Sequence, residues 1–124
     1  SSDVCSSDLL PLPARELSPN ARVHWAKKAK ITKAHRQAAG ITAWAATGDS
    51  EPPGWKKAKM QIKAYFKTAR YPDPTNFMAS LKAYEDGIAD AGVVENDRGL
   101  WPERPEFFTD KLNPRIEITI TEEA

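Results

Sequence analysis

Cysteine is almost missing from this chain: Cys5 stands alone, so no internal disulfide can form, and a reducing, cytoplasmic setting is the default expectation. Long apolar runs are missing too. Nothing approaches the roughly 18 to 20 residues of a membrane-spanning helix, so no membrane partner is expected. Only two histidines occur, His24 and His35, without paired metal-ligand spacing, and they read as exposed or capping residues. There is no glycine-rich phosphate loop, zinc spacing or internal repeat. A secretory leader is not expected, because the opening SSDVCSSDL is polar and lacks a basic start and an apolar centre. Its repeated Ser-Ser-Asp resembles translated adaptor sequence more than protein. Residues 1–9 are therefore set aside as non-native or disordered, and one domain is expected over residues 10–124.

Acids are scarce in the first half and bases in the second. Residues 14–70 hold 13 Lys or Arg against 3 acids, whereas residues 71–124 hold 5 against 12. The net charge of +1 conceals this division. A basic surface attracts polyanions and clustered carboxylates attract divalent cations, although solvated faces of ordinary elements produce the same runs.

Hydrophobic spacing gives the elements. Leu9 to Pro13 reads as a short edge strand, where proline is tolerated. Turn residues from Ser18 lead into a helix over Trp25 to Ala46, in which Gly40 is an unfavourable residue, and Gly48 to Gly54 reads as a loop. From Lys57 to Lys67 apolar and cationic residues alternate, the pattern of a half-buried strand. A helix is expected from Pro74 to Ala91, with Phe77, Leu81, Tyr84, Ile88 and Ala91 on one stripe, Asp73 as N-cap and Gly92 as the C-terminal stop. Ile116, Ile118 and Ile120 mark a last strand, and Phe107 and Phe108 mark one paired with it through the turn at residues 112–115. The four tryptophans, Trp25, Trp44, Trp55 and Trp101, read chiefly as core or interface anchors, with base stacking open to Trp25. The fold class is α+β, a small mixed sheet with helices layered on one face.

Chemistry is concentrated around the second helix. Thr75, Ala79, Lys82 and Asp86 recur at helical spacing beside the apolar stripe. Asp73 stands at the positive end of the dipole, and Asp97 follows Gly92 in an acidic segment that must fold back toward the sheet. Converging carboxylates there would form an oxygen-ligand site suited to Mg²⁺, with Lys82 as a point charge for a phosphate. The plainer alternatives are an N-cap for Asp73, a surface pair for Lys82 and Asp86, and a turn residue for Asp97.

The stretch from Arg70 to Asp97 resembles the signature region of the RusA family of Holliday junction resolvases. Ser18-Pro-Asn20 with Arg22, His24 and Trp25, and the closing residues 116–122, extend the likeness from Leu10 onward. The resemblance implies a RusA-like fold in a homodimeric, Mg²⁺- or Mn²⁺-dependent endodeoxyribonuclease that nicks four-way DNA junctions symmetrically. It further implies a phage or prophage origin and action in the cytoplasm of a bacterial host, in DNA recombination and repair. Carried over by position, Asp73, Lys82 and Asp97 take catalytic and metal-binding roles, and Asn76 supports the site. The family's second aspartate is Thr75 here, and Asp86 or Thr75 itself is the expected replacement ligand. Arg22, Lys27, Lys30 and Lys33 are the expected phosphate contacts, with Lys59, Lys63 and Lys67 on the strand. The threonine leaves two other readings open: a junction-binding protein without catalysis, and a small interaction domain that keeps only the fold.

Overall fold

The computed structural model describes residues 4–46 and 51–123, with side chains from Leu10 onward. In chain order the elements are β1 (Val4–Leu10), a 3₁₀ turn (Arg15–Leu17), α1 (Trp25–Ala46), β2 (Ala58–Phe66), α2 (Pro74–Ala79), α3 (Lys82–Asp90), a 3₁₀ turn (Asp97–Gly99), β3 (Leu100–Pro102), β4 (Glu106–Thr109) and β5 (Arg115–Glu122).

The alternating sequences of β2 and β5 make them the sheet's centre. They pair antiparallel, setting Met60 beside Ile120, Ile62 beside Ile118 and Ala64 beside Ile116. All six side chains are buried, and each large one contributes about 1.5–3 kcal/mol by leaving water. β1 lies outside β5 in antiparallel register, while β3 and β4 run parallel to β2 along its other edge. The protein is thus a small α+β domain with a mixed five-stranded sheet. Helices α1 and α3 pack on each other, and one apolar cluster joins Ala39 and Ala43 of α1, Tyr84 and Ile88 of α3 and the inward residues of the sheet.

Several expectations from the sequence need correction. The first strand is an edge strand, but it spans Val4–Leu10 and ends before Pro11 and Pro13, whose missing N–H groups would interrupt the ladder; it therefore enters the segment that had been set aside. The strand at Phe107 and Phe108 is real but pairs with β2, not β5. β5 instead occupies the opposite edge of β2, where its three isoleucines meet that strand's buried face. The helix expected over residues 74–91 is two helices. Ser80 Oγ donates to Phe77 O at 2.6 Å and Leu81 N bonds back only three residues, to Met78 O, so the α-ladder is interrupted. Leu81 sits at φ −92°, ψ 0° between them. The apolar stripe survives the break, with Phe77, Leu81, Tyr84, Ile88 and Ala91 all buried. Most of the loop expected at Gly48 to Gly54 follows residues 47–50, which lie outside the described residues.

Gly40 and Gly87 explain why α1 and α3 can approach so closely. A Cβ on Gly87 would stand 2.2 Å from Arg36 O and 3.0 Å from Gly40 N, so only a glycine fits that crossing. Gly92, at φ +86°, ends α3 in the left-handed conformation that its sequence position predicts. Among the described residues no helix is long and apolar enough to cross a membrane.

Candidate functional site

The helix break sets Lys82 at the first position of α3. A cation is disfavoured there, because the N-terminus carries the positive end of the helix dipole. Two carboxylates offset this: Lys82 Nζ donates to Asp86 Oδ1 at 2.8 Å, one turn further along α3, and to Asp97 Oδ2 at 3.4 Å, from the 3₁₀ turn. The hydrogen bond to Asp86 is the larger cause holding the Lys82 ammonium above its ordinary pKa, with Asp97 adding to it. Lys82 is 63% exposed, so these pairs contribute little stability.

Asp97 reaches this point because the chain after Gly92 is stitched to the approach of β2. Gly54 N and Trp55 N donate to Gly92 O and Val93 O at 2.8 and 2.9 Å, and Glu95 N donates to Trp55 O at 2.9 Å. Asn96 caps the following turn, its side chain accepting from Arg98 N at 3.0 Å. The acidic segment therefore does fold back toward the sheet.

Around Lys82 lies an open cavity lined by Arg36, Asp86, Ala89, Asp90, Glu95, Asn96 and Asp97. Arg36 is its link to the basic half of the chain. Its guanidinium makes a bidentate contact with Asp90, 2.5 Å from Nε and 2.7 Å from Nη2, which is the main cause keeping the Asp90 carboxyl below its usual range. Burial pushes the neighbouring Glu85 carboxyl up; Lys82 opposes that shift, while Asp86 and Asp97 add to it. Local spacing does not mark Arg36, Glu85, Asp90 or Glu95 as site residues. Arg36 and Asp90 stand 54 residues apart in the chain, and only their tertiary pairing reveals them.

Asp73, Thr75 and Asn76 are placed elsewhere. Asp73 caps α2 by accepting from Asn76 N at 3.0 Å, and with Thr75 it lines a separate depression beside Met78, Glu103 and Arg104. An aromatic cluster holds this end of the fold, with Phe66, Phe77 and Phe107 rings 5.2–5.6 Å apart. Among the described residues Asp73 makes no ion pair with Lys82 and shares no cavity lining with it.

Asp86 and Asp97 both accept from one ammonium, so their oxygens face a common point. That point is taken by Lys82 Nζ itself, and a hard divalent ion, which binds one or two carboxylates and completes its shell with water and phosphate oxygen, would need the ammonium to turn aside. Among the described residues no group of three or more His, Cys, Asp or Glu is arranged to hold a metal.

The cations expected to meet DNA divide by location. Lys63 on β2 stands between Glu106 and Glu117 in register without an ion pair among the described residues, Glu117 being held by Arg115, and Lys59 Nζ lies 4.0 Å from Glu103, so acids interleave with the cations of that face. Lys67 is exposed just beyond the strand. On α1, Lys30 and Lys33 have no ion pair among the described residues, and Lys27 reaches only Glu16 at 3.8 Å. Arg22 and Lys27 line a further depression with Arg15 and Asn20.

The tryptophans divide between the core and the surface, so the core reading fails for three of them. Trp25, Trp44 and Trp101 are exposed, and only Trp55 packs against the core. The buried residues of α1 are Ala39 and Ala43, and Trp101 carries Lys57 Nζ 4.7 Å from its ring centre. His24 does serve as a cap, with Nδ1 accepting from Ala26 N at 3.2 Å.

No known family pattern matches the chain. It is similar to an uncharacterized protein of Xylella fastidiosa (strain Temecula1 / ATCC 700964), with 36% identity over an alignment of 97 residues that covers 72% of this chain. The chain spans 59% of the length of that relative.

Proposed function

We infer that this chain is a metal-dependent, structure-selective DNA endonuclease of the RusA type, acting on four-way junctions as a homodimer in the cytoplasm of a bacterial phage or prophage host. The observation that carries this reading is Lys82, a cation set against the helix dipole and bracketed by Asp86 and Asp97 from two different elements. That is an unfavourable choice for a purely structural position and a fitting one for a phosphodiester site. The unpaired cations of α1, which packs beside α3, supply a surface for the DNA backbone.

On this reading Asp86 and Asp97 would hold the metal, whose chemistry is to activate water and to neutralise charge developing on the phosphate. Lys82 then stabilises the phosphate oxygens, and Arg36, held in place by Asp90, supports the same charge from α1. Thr75 in place of an aspartate favours a second reading, a junction binder without catalysis.

The test is nicking of a labelled four-way junction by Asp97→Asn and Lys82→Ala proteins in Mg²⁺ or Mn²⁺. Each is expected to lose about 10²-fold or more in rate, the scale of removing a group that stabilises transition-state charge, while junction binding persists. Cutting at the parental rate by either variant would remove that residue from the site. Binding without cutting by the parent protein would move the conclusion to the second reading.

A further inference from the structure

We propose that the first half of α1 is a platform for unpaired nucleic acid, on which Trp25 stacks an extruded base while the lysines beside it hold the adjoining phosphates. This rests on the nucleic-acid part of the function proposed above and is independent of cleavage.

Trp25 is 77% exposed, in the first turn of a helix whose sequence contains five cations and no acid. Among the described residues the indole takes no part in the buried core. One flank of its ring is occupied by His24, stacked at 5.6 Å between centroids and 29° between planes, which limits how the indole can lie. A shallow groove continues from Trp25 past Lys28, Ala29, Thr32 and Lys33 to Arg36. Arg36 also lines the cavity of Lys82, Asp86 and Asp97, so the groove ends where the proposed chemistry begins.

From Trp25 to Arg36 the helix rises about 16 Å at 1.5 Å per residue, room for a few nucleotides. Lys28 and Lys33 have no ion pair among the described residues, and no acidic side chain lines the groove to repel a backbone. An exposed aromatic face within a cationic track is the arrangement by which proteins hold single strands: each base has a face to stack, and the backbone supplies the charge. A fully paired duplex offers the charge but no free base face. The platform therefore selects strands with unpaired bases, as at the centre of a branched DNA, and directs them toward the acidic cavity.

The experiment is fluorescence anisotropy with a labelled oligothymidylate and with a duplex of the same length, in chelator so that no strand is cut. It compares the whole chain with Trp25→Ala and Trp25→Phe, each checked for native circular dichroism. Trp25→Ala is expected to weaken single-strand binding about tenfold, within the range that base–aromatic stacking supplies, and duplex binding by less than about twofold; Trp25→Phe is expected to recover most of the loss. Equal losses on both ligands, no loss on the single strand, or a phenylalanine protein as weak as the alanine one would each overturn the proposal. A parent protein that binds the single strand in this way, and in a separate assay leaves a four-way junction intact in both Mg²⁺ and Mn²⁺, would sustain the platform while refuting the nuclease.

Discussion

Replacing Gly87 by alanine perturbs the contact on which the relation between the basic helix and the acidic site depends. The added Cβ would lie 2.2 Å from Arg36 O, 2.9 Å from Ala39 Cβ and 3.0 Å from Gly40 N. The closest of these atoms is a backbone carbonyl and cannot rotate aside, so α1 and α3 must separate. Overpacking of this kind costs about 1–3 kcal/mol, and the upper end applies where backbone meets backbone. Alanine returns about 1 kcal/mol through its better helix propensity, which leaves a net loss of about 2 kcal/mol. At this chain length that lowers Tm by about 8 °C in a thermal melt followed by circular dichroism. Gly40→Ala is the control: its Cβ would meet Gly87 O at 3.3 Å, a contact that a small shift relieves, and its Tm is expected to stay within a few degrees. A Gly87→Ala protein that melts at or above the parent would refute the close crossing and, with it, the placement of Arg36 beside Asp90.

Two further outcomes follow from the contact between the 3₁₀ turn region, α1 and α3. His35 Nε2 accepts from Ala14 N at 3.1 Å and its ring stacks on Tyr84, while burial lowers its pKa from the ordinary 6.5. The unfolded chain thus binds a proton that the folded chain resists, so stability is full above about pH 6.5 and falls as pH drops through the lowered folded value. Tm of the parent should fall more steeply between about pH 7.5 and 5.5 than that of His35→Gln, and parallel curves would contradict this. Tyr84, whose phenol burial raises to about 12, donates to Pro11 O at 2.6 Å. Tyr84→Phe leaves that carbonyl without its partner and should cost about 1–2 kcal/mol in a urea titration; an unchanged midpoint would show that the bond adds nothing.

The periodic parts of the fold were legible in the sequence because a period needs no knowledge of partners. The alternation of β2 and β5, the limits of α1 and the stop at Gly92 follow from local spacing and local chemistry. The break at Ser80 was hidden, since the stripe from Phe77 to Ala91 keeps helical phase across it and the interruption depends on a serine hydroxyl turning back to Phe77 O. That acids flank Lys63 of β2 was also hidden, because Glu106 and Glu117 become its neighbours only through the strand register. Lys82 and Asp86 form the surface pair that their spacing allowed, Asp97 in its turn joins them through a fold-back that spacing alone does not fix, and Asp73, an N-cap, lines a different depression with Thr75. Gly40, an unfavourable residue when α1 is read alone, is favourable once Gly87 lies against it.

The central claim is that the cation-bracketing carboxylates and the α1 cations serve one reaction on branched DNA. The most direct test incubates the protein with a labelled synthetic four-way junction and with a linear duplex of matching sequence, each in Mg²⁺, in Mn²⁺ and in chelator. Paired nicks on the junction alone, present with either metal and abolished by chelator, are the predicted result; an intact junction in every arm, or equal cutting of the linear duplex, would contradict the account.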